Sequence, residues 1–311
     1  MSLPVLAEVY RSGYLEGTHT GSVLAVDAAG TPVVSLGDVD RPIFPRSSTK
    51  PLQAAGLLDA GWRPADDEEL ALATSSHSGE PAHLAVVRRM LAGAGLDEGA
   101  LGTPPMLPLS EPAAHALLAA GRVGTSLTMN CSGKHAAMLA CCVANGWPTA
   151  EYLDPSHPMQ RAIIATIEEL AGERVGHVAV DGCGAPQHAL SLRGLAQAYA
   201  TLVRTRTDIA DAMRAHPWLV GGTGRDVTDL MTHVPGLLAK DGAEGVYAVA
   251  LPDGAAVVLK IEDGAARART PVLVAALRQL GVEGLDEFAA TPVLGGGRPV
   301  GQVQVSGLLA R

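Results

Sequence analysis

The sequence predicts an α+β fold, an antiparallel sheet built from strands at both chain ends and packed with a mainly helical middle. Three observations point there. Strand pairs joined by turn signals lie near each end, over residues 1–40 and 245–311. The middle, residues 50–235, carries apolar residues at helical spacing. Strands and helices do not alternate as βαβ units, so the two ends are expected to meet in one sheet.

Each element has its own signal. Val23–Val26 and Val33–Leu36 flank Asp27–Pro32, a turn-rich link that reads as a hairpin. The spacing predicts helices over Pro81–Gly93, Glu111–Ala119, His135–Asn145, Pro158–Leu170 and Leu190–Arg204, most ending near Gly or Pro. A second hairpin, Val246–Ala250 with Ala256–Ile261, turns at Pro252-Asp253-Gly254. A helix over Ala266–Leu280 and a strand over Gln302–Val305 complete the chain. No low-complexity linker and no internal repeat divides it, so residues 1–311 are expected to form a single catalytic domain.

Hydrophobic residues make up 47% of the 311 and aromatics only 3%, so Leu, Val and Ala must fill the core. The net charge is −9 and no basic run occurs, which argues against nucleic-acid binding. Met1–Val5 has no basic region followed by an apolar stretch, and no apolar run approaches the roughly 18 residues of a membrane span. A cytoplasmic protein is the expectation, with Cys131, Cys141, Cys142 and Cys183 as thiols. Cys141 and Cys142 sit in an apolar run and read as small buried hydrophobes.

Five polar segments could carry chemistry. In Arg46-Ser47-Ser48-Thr49-Lys50-Pro51, a serine stands three residues before a lysine. That spacing shares one helical face, and a neutral amine there can take the hydroxyl proton. Penicillin-binding proteins and class A β-lactamases carry it. The ordinary alternative is a serine capping the helix through Leu52–Leu58, with Lys50 in solvent. Ser75-Ser76-His77-Ser78 precedes a helix start at Pro81 and suits either capping or a polar substrate. Asn130-Cys131-Ser132-Gly133-Lys134-His135 looks like the end of a phosphate loop but lacks its hydroxyl after the lysine and its earlier glycine. An anion-holding turn or a metal site remains. Asp181-Gly182-Cys183 follows a strand-like run, and Cys131 with Cys183 could meet at a zinc ion. Two thiolates fall short of a structural zinc site, so Lys134 as amine, a histidine or water would have to add to them. Finally, Lys240 beside Asp241-Gly242 would ordinarily mark a surface turn, unless the fold brings it to Ser47 or Ser76.

Together with His157-Pro158-Met159-Gln160, these segments in this order resemble the asparaginases typified by the inducible, thermolabile enzyme of a nitrogen-fixing rhizobium. Those enzymes are unrelated to the bacterial asparaginases with threonine nucleophiles. The resemblance implies a fold like serine β-lactamases and glutaminases, and hydrolysis of L-asparagine to aspartate and ammonia. It implies two serine–lysine dyads, Ser47 with Lys50 and Ser76 with Lys240. Ser47 would be the nucleophile and Lys50 its base, with Ser76 and Lys240 relaying protons and activating water. Arg46, His77 and Asp181 would bind substrate. Cys131, Lys134 and Cys183 would correspond to zinc ligands, the zinc aiding substrate binding rather than the chemistry. A homodimer acting on a small amino-acid amide is implied. The segment Trp218–Thr232 is more compact than in the rhizobial type, which puts substrate choice in question. A glutaminase or β-lactam-type acyl hydrolase, a zinc-dependent hydrolase and a noncatalytic amino-acid-binding protein are the rival readings.

Overall fold

The computed structural model describes residues 3–309. The strands are β1 (Val5–Arg11), β2 (Tyr14–Val26), β3 (Pro32–Leu36), β4 (Val178–Val180), β5 (Pro186–His188), β6 (Leu238–Asp241), β7 (Val246–Ala250), β8 (Ala256–Ile261), β9 (Ala290–Gly295) and β10 (Arg298–Val305). The helices are α1 (Lys50–Asp59), α2 (Asp67–Ala73), α3 (Pro81–Gly93), α4 (Glu111–Ala119), α5 (Ser132–Ala144), α6 (Pro158–Ala171), α7 (Leu192–Thr205), α8 (Thr207–Ala215), α9 (Pro217–Val220), α10 (Asp226–His233) and α11 (Arg269–Gln279). The chain divides into two compact units, one of residues up to Ser48, Leu190–Arg204 and Ala239 onward, the other of Thr49–Ala189 and Thr205–Leu238.

The first unit is the predicted antiparallel sheet. Its strand order is β6-β7-β8-β2-β1-β10-β9, with β3 also on β2. β1 pairs with β10, Ala7 opposite Val305, so the two chain ends do lie side by side. The long β2 serves two neighbourhoods, since its first half pairs with β1 and Gly21–Val26 pairs with β8. Gly21 marks the change, because a Cβ there would lie 2.1 Å from the Lys260 carbonyl. The β1–β2 turn escapes the sequence reading. Ser12 and Gly13 form its loop with φ of 49° and 82°, the left-handed pair that tight hairpins need. α11 packs on this sheet, and Val272–Val274 on it are fully buried.

The second unit is helical. α1 crosses α6 closely at Gly56, where a Cβ would meet the Ile163 backbone at 2.7 Å. α5 is buried along nearly its whole length, Cys141 and Cys142 included. Burial pushes their thiols up to about 11 and about 12, as expected of inert core sulfurs. α5 begins at Ser132, three residues before the predicted start, because the Ser-Gly pair that reads as a turn forms its first turn. No helix among the described residues is long and apolar enough to cross a membrane.

Candidate active site

A short 3-10 turn over Arg46–Thr49 leads into α1, whose first residue is Lys50. Pro51 is tolerated in that first turn, where its missing N–H costs nothing. Lys50 is only 1% exposed, which excludes the solvent position. Its Nζ donates to the Ser75 carbonyl and to Ser76 Oγ, the latter at 3.1 Å. Ser76 is buried too. The segment that carries it is laced on both sides. Ser76 and Ser78 donate their backbone N–H groups to Val220 and Gly221 at 3.0 and 2.8 Å, and His77 donates to Asn130 at 3.1 Å.

His77 is fully buried with both ring nitrogens engaged. Nδ1 accepts from the Gly79 N–H at 3.1 Å, which places the proton on Nε2, 2.9 Å from Ser132 Oγ. Burial, then the charges of His83, Lys50 and Arg225, hold it well below the usual imidazole range. It stacks on His83, which stacks on Trp218, with centroids 5.3 and 4.0 Å apart. Burial lowers His83 as well. Burial and then the Lys134 charge lower His188 to about 4.

These histidines make stability pH-dependent. Each binds its proton more readily unfolded than folded, so the unfolded chain holds more protons between the folded value and about 6.5, and stability rises with pH across that window. Stability is therefore lost as pH falls from 6.5 towards 4, with His188 alone worth about 3 kcal/mol at the bottom. Urea denaturation between pH 7 and pH 4 measures this. A midpoint that stays constant contradicts it.

The sulfur-bearing residues gather in the same unit. The β4–β5 hairpin turns through Asp181–Gly184, with Gly184 at φ 88°, and delivers Cys183. Lys134, in the first turn of α5, donates from Nζ to Cys183 Sγ at 3.2 Å. Asp181 Oδ2 lies 3.8 Å from the same sulfur, and Cys131 belongs to the same buried cluster as Cys183, its thiol 3.8 Å from Asn130 Oδ1. Hydrogen bonding from Cys131 and the charge of Lys134 drive the Cys183 thiol far down despite burial. The hydrogen bond to Cys183 and burial push Cys131 well up. Burial opposes the Lys134 charge, but the two sulfurs outweigh it and hold its ammonium above the usual range. The Lys134 ammonium thus faces two sulfurs, of which Cys183 is the more acidic.

His135 Nδ1 and Tyr152 Oη lie 2.7 Å apart, and Tyr152 accepts from the Gly102 N–H. The His157–Gln160 segment is support for this wall. His157 caps α6 through Met159 N–H, and Gln160 donates to the Tyr152 carbonyl at 2.8 Å.

In the sheet unit, Lys240 is completely buried on β6, so it marks no surface turn. Its Nζ lies 2.6 Å from Asp241 Oδ1 and donates to the Asp241 carbonyl at 2.9 Å. Arg269 stands 3.8 Å from the other carboxylate oxygen and donates to the Gly242 carbonyl. The Lys240–Gly242 segment packs on the serine segment. Ser48 Oγ donates to the Lys240 carbonyl at 3.0 Å, and a Cβ at Gly242 would sit 2.5 Å from the Pro45 carbonyl. Tyr199 fixes the same serine segment by donating to the Ser48 carbonyl. Ser47 itself is partly exposed. Arg46 takes the left-handed region at φ 54°, with its guanidinium 3.7 Å from Glu244.

Residues 7–305 match the L-asparaginase II family, nearly the whole protein. The chain belongs to the L-asparaginase II family. Membership supports an asparaginase-type or serine hydrolase, in keeping with the resemblance of its motifs. No curated protein matches it. Among solved structures, a β-lactamase of Mycobacterium bovis aligns over 92% of this chain and 96% of its own, at 13% identity and TM-score 0.41. The native form of Mglu aligns over 89% and 69%, at 15% identity and TM-score 0.43. A mutant simvastatin synthase of Aspergillus terreus aligns over 84% and 90%, at 11% identity and TM-score 0.36.

For this L-asparaginase II chain, the structure also assigns positions to residues that the sequence reading leaves aside. Asp241 holds Lys240 and has Arg269 beside its other oxygen, His83 and Trp218 back His77, and Arg225 donates to the Ser76 carbonyl at 3.2 Å. The glycine-rich run Gly221–Gly224 ahead of Arg225 is the one sequence signal that points to it.

Proposed function

We propose that this protein hydrolyses the side-chain amide of L-asparagine to aspartate and ammonia through a serine–lysine acyl-enzyme. One observation carries the reading: the buried Lys50 amine lies 3.1 Å from the buried Ser76 hydroxyl. A lysine held out of water beside alcohols is the arrangement that turns a hydroxyl into a nucleophile. Ser47, the partly exposed hydroxyl one turn ahead of Lys50, attacks the amide carbon and passes its proton to the Lys50 amine. The proton moves on to the leaving nitrogen, ammonia departs, and a β-aspartyl ester remains on Ser47. Ser76 and Lys240 relay protons as water attacks that ester and aspartate leaves. N–H groups at the start of α1 face the developing oxyanion.

In this scheme Arg46 supplies a cation beside the dyad or a fork for the substrate carboxylate. Asp181 takes the substrate ammonium. His77 has both nitrogens occupied and serves by fixing Ser132 and the Ser76–Gly79 backbone. Ammonia release from asparagine, glutamine and simple amides tests the reading. Turnover of asparagine supports it, and hydrolysis of glutamine alone overturns it.

Cys131, Lys134 and Cys183 fit a zinc ion in part. Two sulfurs and an amine already converge, although no group of three His, Cys, Asp or Glu side chains does so among the described residues. Zinc bound there would supply positive charge to anchor the substrate. Zinc takes cysteine as thiolate and lysine as neutral amine, so binding through all three should release protons. Calorimetry of zinc binding in buffers of different ionisation enthalpy measures that release. Binding with no proton release contradicts the three-ligand set.

A further inference from the structure

We propose that Arg225 reads the α-carboxylate of the substrate, an inference that rests on the function proposed above. The guanidinium lies at the Ser76 carbonyl, 3.2 Å away, on the residue whose hydroxyl meets Lys50. Lys50, Ser76 and His77 are buried, whereas Arg225 keeps part of its surface open to solutes. Its planar fork suits a carboxylate, with direction as well as charge.

The segment that carries Arg225 is fixed. Gly221 accepts from both the N–H and the hydroxyl of Ser78, at 2.8 and 3.0 Å. Thr223 donates from its backbone and its hydroxyl to the Glu80 carboxylate at 2.9 and 3.0 Å. The Gly222 N–H reaches Thr228 Oγ1 at 3.0 Å. At Gly222, φ is 131° and a Cβ would lie 2.3 Å from Ser78 Oγ, so only glycine allows this approach. A guanidinium on such a scaffold keeps one position relative to Ser76 and spends little entropy on binding. The surrounding field favours an anion. Arg225 acts on His77 as a positive charge, and His77 and His83, the imidazoles beside it, are held below the usual imidazole range by burial.

The test pairs variants with substrates. Arg225→Gln and Arg225→Lys are assayed on L-asparagine and on β-alaninamide, which is asparagine without its α-carboxylate. Arg225→Gln should lower kcat/KM for asparagine on the order of 100-fold, mostly through KM. It should lower kcat/KM for β-alaninamide at least 10-fold less than for asparagine, and Arg225→Lys should recover part of the loss on asparagine. Equal loss on both substrates would make Arg225 a support for Ser76 and overturn the assignment. If Arg225→Gln does not fold, Arg225→Lys alone must show the same substrate split, and its absence overturns the assignment too. Failure of the underlying function is distinguishable, because the unsubstituted protein would then release no ammonia from asparagine. That outcome overturns both.

Discussion

Ser47→Ala ends ammonia release from asparagine, with kcat/KM falling by a factor on the order of 10⁴ or more. The fold should not notice. Ser47 is partly exposed at the start of a helical run, and losing one hydroxyl there changes stability by no more than about 0.5 kcal/mol. The two readouts must therefore separate: turnover vanishes while the denaturation midpoint holds. Normal turnover by Ser47→Ala would remove it as nucleophile and leave Ser76, the hydroxyl already on the Lys50 amine, as the alternative.

The second large effect is at Lys240. This ammonium is fully buried and lies 2.6 Å from the Asp241 carboxylate, which is also buried. Lys240→Ala removes the nearest cation from that buried carboxylate, with Arg269 at 3.8 Å still opposing it. Breaking a buried pair from one side costs about 3–5 kcal/mol, and Arg269 brings the expected loss to the lower end. Under the proposed two-dyad scheme, turnover should fail as well. The companion Asp241→Asn separates the two effects. In Lys240→Ala with Asp241→Asn the stranded charge is gone, so stability should largely return while activity does not. Activity that returned with stability would make Lys240 purely structural.

Much of the fold was legible in the residues. Both hairpins that the turn signals mark are present, and Pro81–Gly93 and Glu111–Ala119 form helices over those bounds. The antiparallel sheet joining the chain ends is there. What escaped has a physical cause. The β1–β2 hairpin turns on a serine at positive φ, a conformation ordinarily read from glycine or asparagine. α2 has seven residues, too few for a periodic pattern, and only its Asp66 cap announces it.

The motifs likewise named side chains that gather, such as Lys134 with Cys183 and Cys131. They could not show how those groups are ionised, because that depends on which sulfur receives the hydrogen bond. The lysines were the least readable. Their ordinary place is water, and only the three-dimensional packing buries Lys50 against Ser76 and Lys240 against Asp241. Arg225 reaches Ser76 through pairing between residues about 150 positions apart, which no local pattern records.

The account stands or falls on a covalent ester at Ser47. Rapid quench of the enzyme with asparagine, followed by proteolysis and mass spectrometry, looks for it directly. The prediction is a β-aspartyl group on the peptide that contains Ser47, absent from Ser47→Ala. Steady ammonia release with no label on that peptide, or with the label on the Ser76 peptide, would contradict it.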